Sequence, residues 1–103
     1  AWSGIIALQN ISQRLAKYLG LDSKEGALVA RIAAGSPADE AGLESGDVIA
    51  AINGEKMRSA EDALGVLMSL RVDDECFLSV IRYGSPKQLM IQIAEWPEER
   101  QGW

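Results

Sequence analysis

Between Gly35 and Glu55 the chain reads GSPADEAGLESGDVIAAINGE, and this stretch limits the possible folds more than any other. Its four glycines and one proline fall where the backbone must change direction, and its apolar residues fall between them. Ser36 is placed to cap a helix whose first position is Pro37, and Gly42 to close it in a left-handed conformation. A single helical turn is expected. Leu43 then returns the chain to the core, Gly46 turns it, and Asp47 to Ile52 reads as a strand. Asn53-Gly54 permits a type I′ turn into a short second strand, Glu55 to Met57, because both central positions of such a turn need positive φ. The stretch contains no obvious catalytic group.

The rest of the chain supplies the other elements. Ser3 to Gln9 is a short apolar strand, and Ile11, Leu15, Tyr18 and Leu19 recur at helical spacing up to Gly20. Gly26 to Ala33 suits a strand. Ser59 and Asp62 form a capping pair for a helix that carries Ala60, Ala63, Leu64, Leu67 and Leu70 on one broad face. Cys76 to Tyr83 and Lys87 to Ala94 flank a Gly84-Ser85-Pro86 turn as the last hairpin. The charged remainder, residues 95–103, shows no period and is expected to be a flexible tail after a single domain spanning 1–94. The predicted architecture is α+β: a small, partly open antiparallel β-barrel of five or six strands, capped by two helices plus a one-turn helix. Such a barrel leaves a strand edge that a protein must either protect or use.

Composition excludes several kinds of chemistry. The 103 residues contain no histidine and one cysteine, so neither a Ser-His-Asp triad nor a His-ligated metal can be assembled within the chain. Cys76 sits in an alternating apolar run and reads as a half-buried strand residue. The four lysines, Lys17, Lys24, Lys56 and Lys87, lie in polar contexts that would not desolvate an amine. No cofactor is expected. A net charge of -5 argues against nucleic acid as a partner, since a phosphate-binding surface needs a basic face. No apolar run approaches the roughly 18 to 20 residues that span a bilayer. The opening at Ala1-Trp2 without an initiator Met suggests a segment of a longer protein.

Ser36-Pro37-Ala38, Ala41-Gly42-Leu43, Gly46-Asp47-Val48-Ile49 and Ile52-Asn53-Gly54 together resemble the signature of PDZ domains. The form is the circularly permuted one of bacterial HtrA/Deg-type serine proteases and related envelope proteins. The resemblance extends from Trp2 to Ile93. Trp2-Ser3-Gly4-Ile5 is similar to the loop that receives a carboxylate in such domains, although Ser3 stands where the family usually has a larger apolar residue. Ser59 to Leu67 is similar to the helix that lines the groove.

The resemblance implies capture of a protein C-terminus by strand addition: the ligand pairs with Ile5 to Gln9 while loop N–H groups receive its carboxylate. The implied peptide-binding residues are Ser3, Gly4, Ile5, Ile6 and Ala7 on the loop and strand, with Ala60, Leu64, Leu67 and Met68 on the helix. Partners would be the C-termini of unfolded or misassembled proteins. The parent would be an envelope or periplasmic protease whose catalytic residues lie elsewhere. Other parents the resemblance allows are a secretion or scaffold protein, a membrane metalloprotease with a PDZ insert, and a C-terminal-processing protease. Weak self-association is a further expectation, with Gln101-Gly102-Trp103 entering a neighbour's groove.

Overall fold

In the computed structural model, which describes residues 2–96, the chain folds into six strands and three helices. The order is β1 (Ile5–Gln9), α1 (Gln13–Leu19), β2 (Ala27–Ile32), α2 (Pro37–Glu40), β3 (Val48–Ile52), β4 (Glu55–Lys56), α3 (Ala60–Ser69), β5 (Glu75–Arg82) and β6 (Ser85–Gln92). The strands form one antiparallel sheet ordered β1-β2-β3-β5-β6, with the short β4 added to β3. The sheet curls without closing, so β1 and β6 are its edges. The expected α+β architecture is the observed one.

Local chemistry explains most of the boundaries. Ser12, Ser36 and Ser59 each accept a hydrogen bond from the backbone three residues on, which caps α1, α2 and α3. At α3 the Asp62 side chain adds a second bond, its Oδ2 accepting at 3.2 Å from the N–H of Arg58, the residue before the cap. Asn53 and Gly54 have φ of 51° and 83°, as the β3–β4 turn requires. The Asn53 side chain accepts from the Phe77 N–H at 2.8 Å, fastening this turn to β5.

The core is formed by Val29, Ile49, Ile52, Leu78, Val80 and Ile91 of the sheet, roofed by Ala38, Leu43 and Ala63. A smaller cluster of Ile11, Ala16, Leu28 and Val48 lies under α1. One buried ion pair supports the glycine-rich stretch. Arg82, at the end of β5, donates to both carboxylate oxygens of Asp47 at 2.8 and 2.9 Å and to the Gly42 carbonyl at 2.7 Å. Asp47 also accepts from the Glu44 N–H at 2.9 Å. The loop from Gly42 to Asp47 is thereby tied to the far end of the sheet, and Asp47 is left with no unmet oxygen.

Several details differ from the sequence expectations. The last hairpin turns at Tyr83-Gly84, with φ of 49° and 82°, and Ser85 and Pro86 already belong to β6. A two-residue turn of this type matches the twist of the strands, and Pro86 is tolerated because β6 is an edge. Tyr18 points into solvent, and the inward face of α1 is made by Ala16 with Leu15 and Leu19. Ile11 is buried ahead of the helix. Cys76 is wholly buried, and burial pushes its thiol up to about 11, so it packs as an apolar residue. Of the expected tail, Glu95 and Trp96 are described, and Trp96 stacks on Trp2. Residues 97–103, and with them the expected self-association through Gln101 to Trp103, lie outside the described residues.

These placements predict an order of mutant stabilities. Leu43→Ala should cost about 2 to 5 kcal/mol through lost burial and a residual cavity. Arg82→Ala should cost about 3 to 5 kcal/mol by stranding the buried Asp47 carboxylate. Tyr18→Ala should stay within about 0.5 kcal/mol. Urea midpoints measure all three, and a Tyr18→Ala loss equal to that of Leu43→Ala would contradict the packing described.

Candidate functional site

The edge strand β1 is paired with β2 on one side and meets no strand on the other among the described residues. Helix α3 packs alongside this open edge, and a groove of about 480 Å³ lies between them. Asn10, just after β1, bridges the two walls, its Oδ1 accepting from the Ala60 N–H at 2.8 Å. The spacing of strand and helix is therefore fixed at that end by a hydrogen bond as well as by the shared core beneath.

At the other end lies the loop Trp2 to Ile5, where three successive carbonyls are each held by a different part of the chain. The Ala94 N–H donates to the Trp2 carbonyl at 3.1 Å, the Ala38 N–H to the Ser3 carbonyl at 2.8 Å, and the Ala33 N–H to the Gly4 carbonyl at 2.8 Å. No peptide bond among them is cis. In a planar trans peptide the C=O and the following N–H point in opposite directions. Drawing these carbonyls back onto the scaffold therefore turns the N–H groups of Ser3, Gly4 and Ile5 away from it. Among the described residues no acceptor meets the Ser3 or Gly4 N–H, while the Ile5 N–H donates to Ser3 Oγ at 3.2 Å. That hydroxyl oxygen stands where an oxygen of a bound anion could accept.

Gly4 is essential to this geometry. Its φ is +94°, and a Cβ there would collide with Cβ and Oγ of Ser36, the buried cap of α2. The GSPADEAG segment thus lies directly behind the loop. Its scaffold role includes donating one of the three restraining hydrogen bonds, from Ala38.

Of the residues singled out by sequence, Ser3, Ile5, Ile6, Ala7, Ala60, Leu64, Leu67 and Met68 all line the groove. Gly4 is buried and does not. The side chains differ in exposure. Leu64 is 51% exposed, whereas Ala63 beside it is fully buried and belongs to the core. Ile6 is at a register shift of the β1–β2 ladder and turns outward. Lining residues not anticipated are Trp2, Leu8, Glu61, Ile93 and Trp96. Trp2 and Ile93 meet because Trp2 and Ala94 form an antiparallel bridge across ninety-odd residues of chain, a pairing without a local sequence signal. Among the described residues no lysine or arginine lines the groove, which leaves the backbone amides to meet an anion there. Among the described residues no group of three or more Cys, Asp or Glu converges as a metal site. A second, more open hollow between Pro37, Val72, Asp73, Met90 and Gln92 is rimmed by Glu40 and Glu95.

Gly4→Ala should lower the urea midpoint of the domain, because it adds both backbone strain and a clash with Ser36, whereas Gly65→Ala, with open space at its Cβ and an ordinary helical φ, should not. Equal midpoints for Gly4→Ala and the parent protein would contradict the packing of the loop against α2.

Comparison with known proteins agrees with this fold. The PDZ domain family matches residues 6–93. A probable periplasmic serine endoprotease, DegP-like, of Ectopseudomonas mendocina is 37% identical over 100 residues, covering 97% of this chain and 21% of the relative. A protein of the same description from Pseudomonas savastanoi is 34% identical over 100 residues, with the same coverage of each. The chain therefore spans about a fifth of the length of these relatives. Among solved structures, the HtrA-type protease AlgW with decapeptide superposes with a TM-score of 0.79 at 26% identity, covering 93% of this chain and 29% of that one. The HtrA3 PDZ domain bound to a phage-derived ligand superposes with a TM-score of 0.71 at 21% identity, covering 99% of this chain and 93% of that one, and so supports the fold. On the match that runs through nearly the whole described sheet and α3, this chain belongs to the PDZ domain family, and the proteins it resembles are HtrA-type proteases.

Proposed function

We propose that the groove between β1 and α3 captures the free, apolar C-terminus of a polypeptide by strand addition. The observation that carries this reading is the set of three N–H groups turned off the scaffold at Ser3, Gly4 and Ile5, at one end of an unpaired strand edge. A ligand carboxylate would accept from these amides, replacing Ser3 Oγ at Ile5 and freeing the Ser3 hydroxyl to donate as well. The ligand backbone would pair with Ile5 to Gln9, and its last side chain would enter between Ile5, Leu64 and Leu67. Ile6 and Ala7 would contribute backbone and wall, Ala60 would flank residues further back, and Met68 would border the terminal pocket beside Leu67. Glu61 on the same wall disfavours acidic residues upstream in the ligand.

Within a longer protein, the domain would act as the substrate-recognition or regulatory module of an HtrA/Deg-type serine protease of the periplasm or cell envelope. The relatives named as periplasmic serine endoproteases and the decapeptide in the AlgW structure support this reading. The exposed termini of unfolded or misassembled envelope proteins are the ligands that fit such a role. This chain has no histidine, so a triad would be supplied by another part of the protein.

The test uses a decapeptide selected from a random library displayed with free C-termini. Affinity should be on the order of micromolar, since a short peptide loses much of its contact energy to ordering. The C-terminally amidated twin should bind at least about tenfold more weakly, because hydrogen bonds to a charged group are each worth about 1.5 to 3 kcal/mol. Leu64→Lys should keep the urea midpoint and lose most binding, as the pocket would gain a charge to desolvate. Equal affinities of acid and amide would refute carboxylate capture, and unfolding by Leu64→Lys would put Leu64 in the core.

A further inference from the structure

The groove has a wall that the family match leaves out. Trp2 and Trp96 both lie outside the matched residues 6–93, and both line the groove. Their rings stack with centroids 5.8 Å apart and an interplanar angle of 28°. What brings them together is the bridge between Trp2 and Ala94, closed by hydrogen bonds of 2.7 and 3.1 Å, which carries the chain leaving the sheet back across the loop. Ile93, one residue before the bridge, is buried and lines the same groove. The pair therefore stands at the loop end, where the ligand's carboxylate and last side chain would sit. Trp96 keeps 51% of its surface exposed, a large apolar area on the rim of an apolar cleft.

We infer that Trp96 forms the outer wall of the pocket for the ligand's last residue and selects a large apolar side chain there, leucine or phenylalanine over alanine. The inference rests on the peptide-binding reading above. Trp2 positions Trp96 by stacking, and the bridge fixes Trp2. Ligand binding then buries part of the Trp96 ring.

A double-mutant cycle tests this directly. The library-selected decapeptide is made with leucine, phenylalanine or alanine as its last residue, each as free acid and amide, and titrated against the parent protein, Trp96→Ala and Trp96→Phe. Trp96→Ala should weaken the leucine and phenylalanine peptides about fivefold to tenfold and the alanine peptide by no more than about twofold, since coupling requires that the two side chains touch. Trp96→Phe should recover most of the loss. Urea midpoints establish that each variant is folded.

Tryptophan emission in Trp103→Phe gives a second readout that needs no change at Trp96. It should shift to the blue with the leucine peptide and much less with the alanine peptide. Acid binding better than amide while Trp96→Ala leaves every affinity unchanged, or weakens all peptides equally, would overturn the role of Trp96 alone. If Trp96→Ala does not fold, an identical emission response to the leucine and alanine peptides overturns it. Failure of the parent protein to distinguish acid from amide would remove the peptide reading and this inference together.

Discussion

Three backbone carbonyls, those of Trp2, Ser3 and Gly4, are held by N–H groups from three separate parts of the chain, and the site depends on that arrangement. Ala94 follows β6, Ala38 lies in α2 and Ala33 follows β2, so the loop is fastened to the edge strand β6, to the interior strand β2 and to the short helix α2. Because each peptide unit is planar, restraining its oxygen also aims its N–H. The direction of the loop N–H groups is thus set by hydrogen bonds formed on its other side.

The remainder of the fold can be understood as support for those three bonds and for the opposite wall. Arg82 and Asp47 hold the Gly42–Asp47 loop, which follows α2 and so fixes where Ala38 and Ser36 stand behind Gly4. Ala63 anchors α3 in the core while Leu64, one residue on, faces the open groove. Asn10 joins the end of β1 to the first turn of α3.

How much of this was legible in the sequence follows the range of the interactions. Caps at Ser36 and Ser59 and the Asn53-Gly54 turn were legible because each is decided within four or five residues by side-chain acceptors or by positive φ. The turn at Tyr83-Gly84 was not, because tyrosine carries no preference for positive φ and the Gly-Ser-Pro that follows is a stronger local turn signal. The groove residues on β1 and α3 came from resemblance combined with helical spacing, and the structure brings all but Gly4 to one cleft. Trp96, Ile93 and Trp2 escaped notice as groove walls because their proximity depends on the Trp2–Ala94 bridge, which joins the two ends of the domain. The pairing of Arg82 with Asp47, 35 residues apart, is hidden for the same reason.

The central claim is that the loop amides receive the ligand. NMR observation of backbone amide shifts, while the free-acid decapeptide is titrated in, tests it most directly. The account predicts the largest downfield movements at Ser3, Gly4 and Ile5, smaller ones along β1 and the groove face of α3, and none around Met90 and Gln92. Stationary loop amides, with the shifts gathered instead at the hollow beside Val72 and Met90, would contradict it.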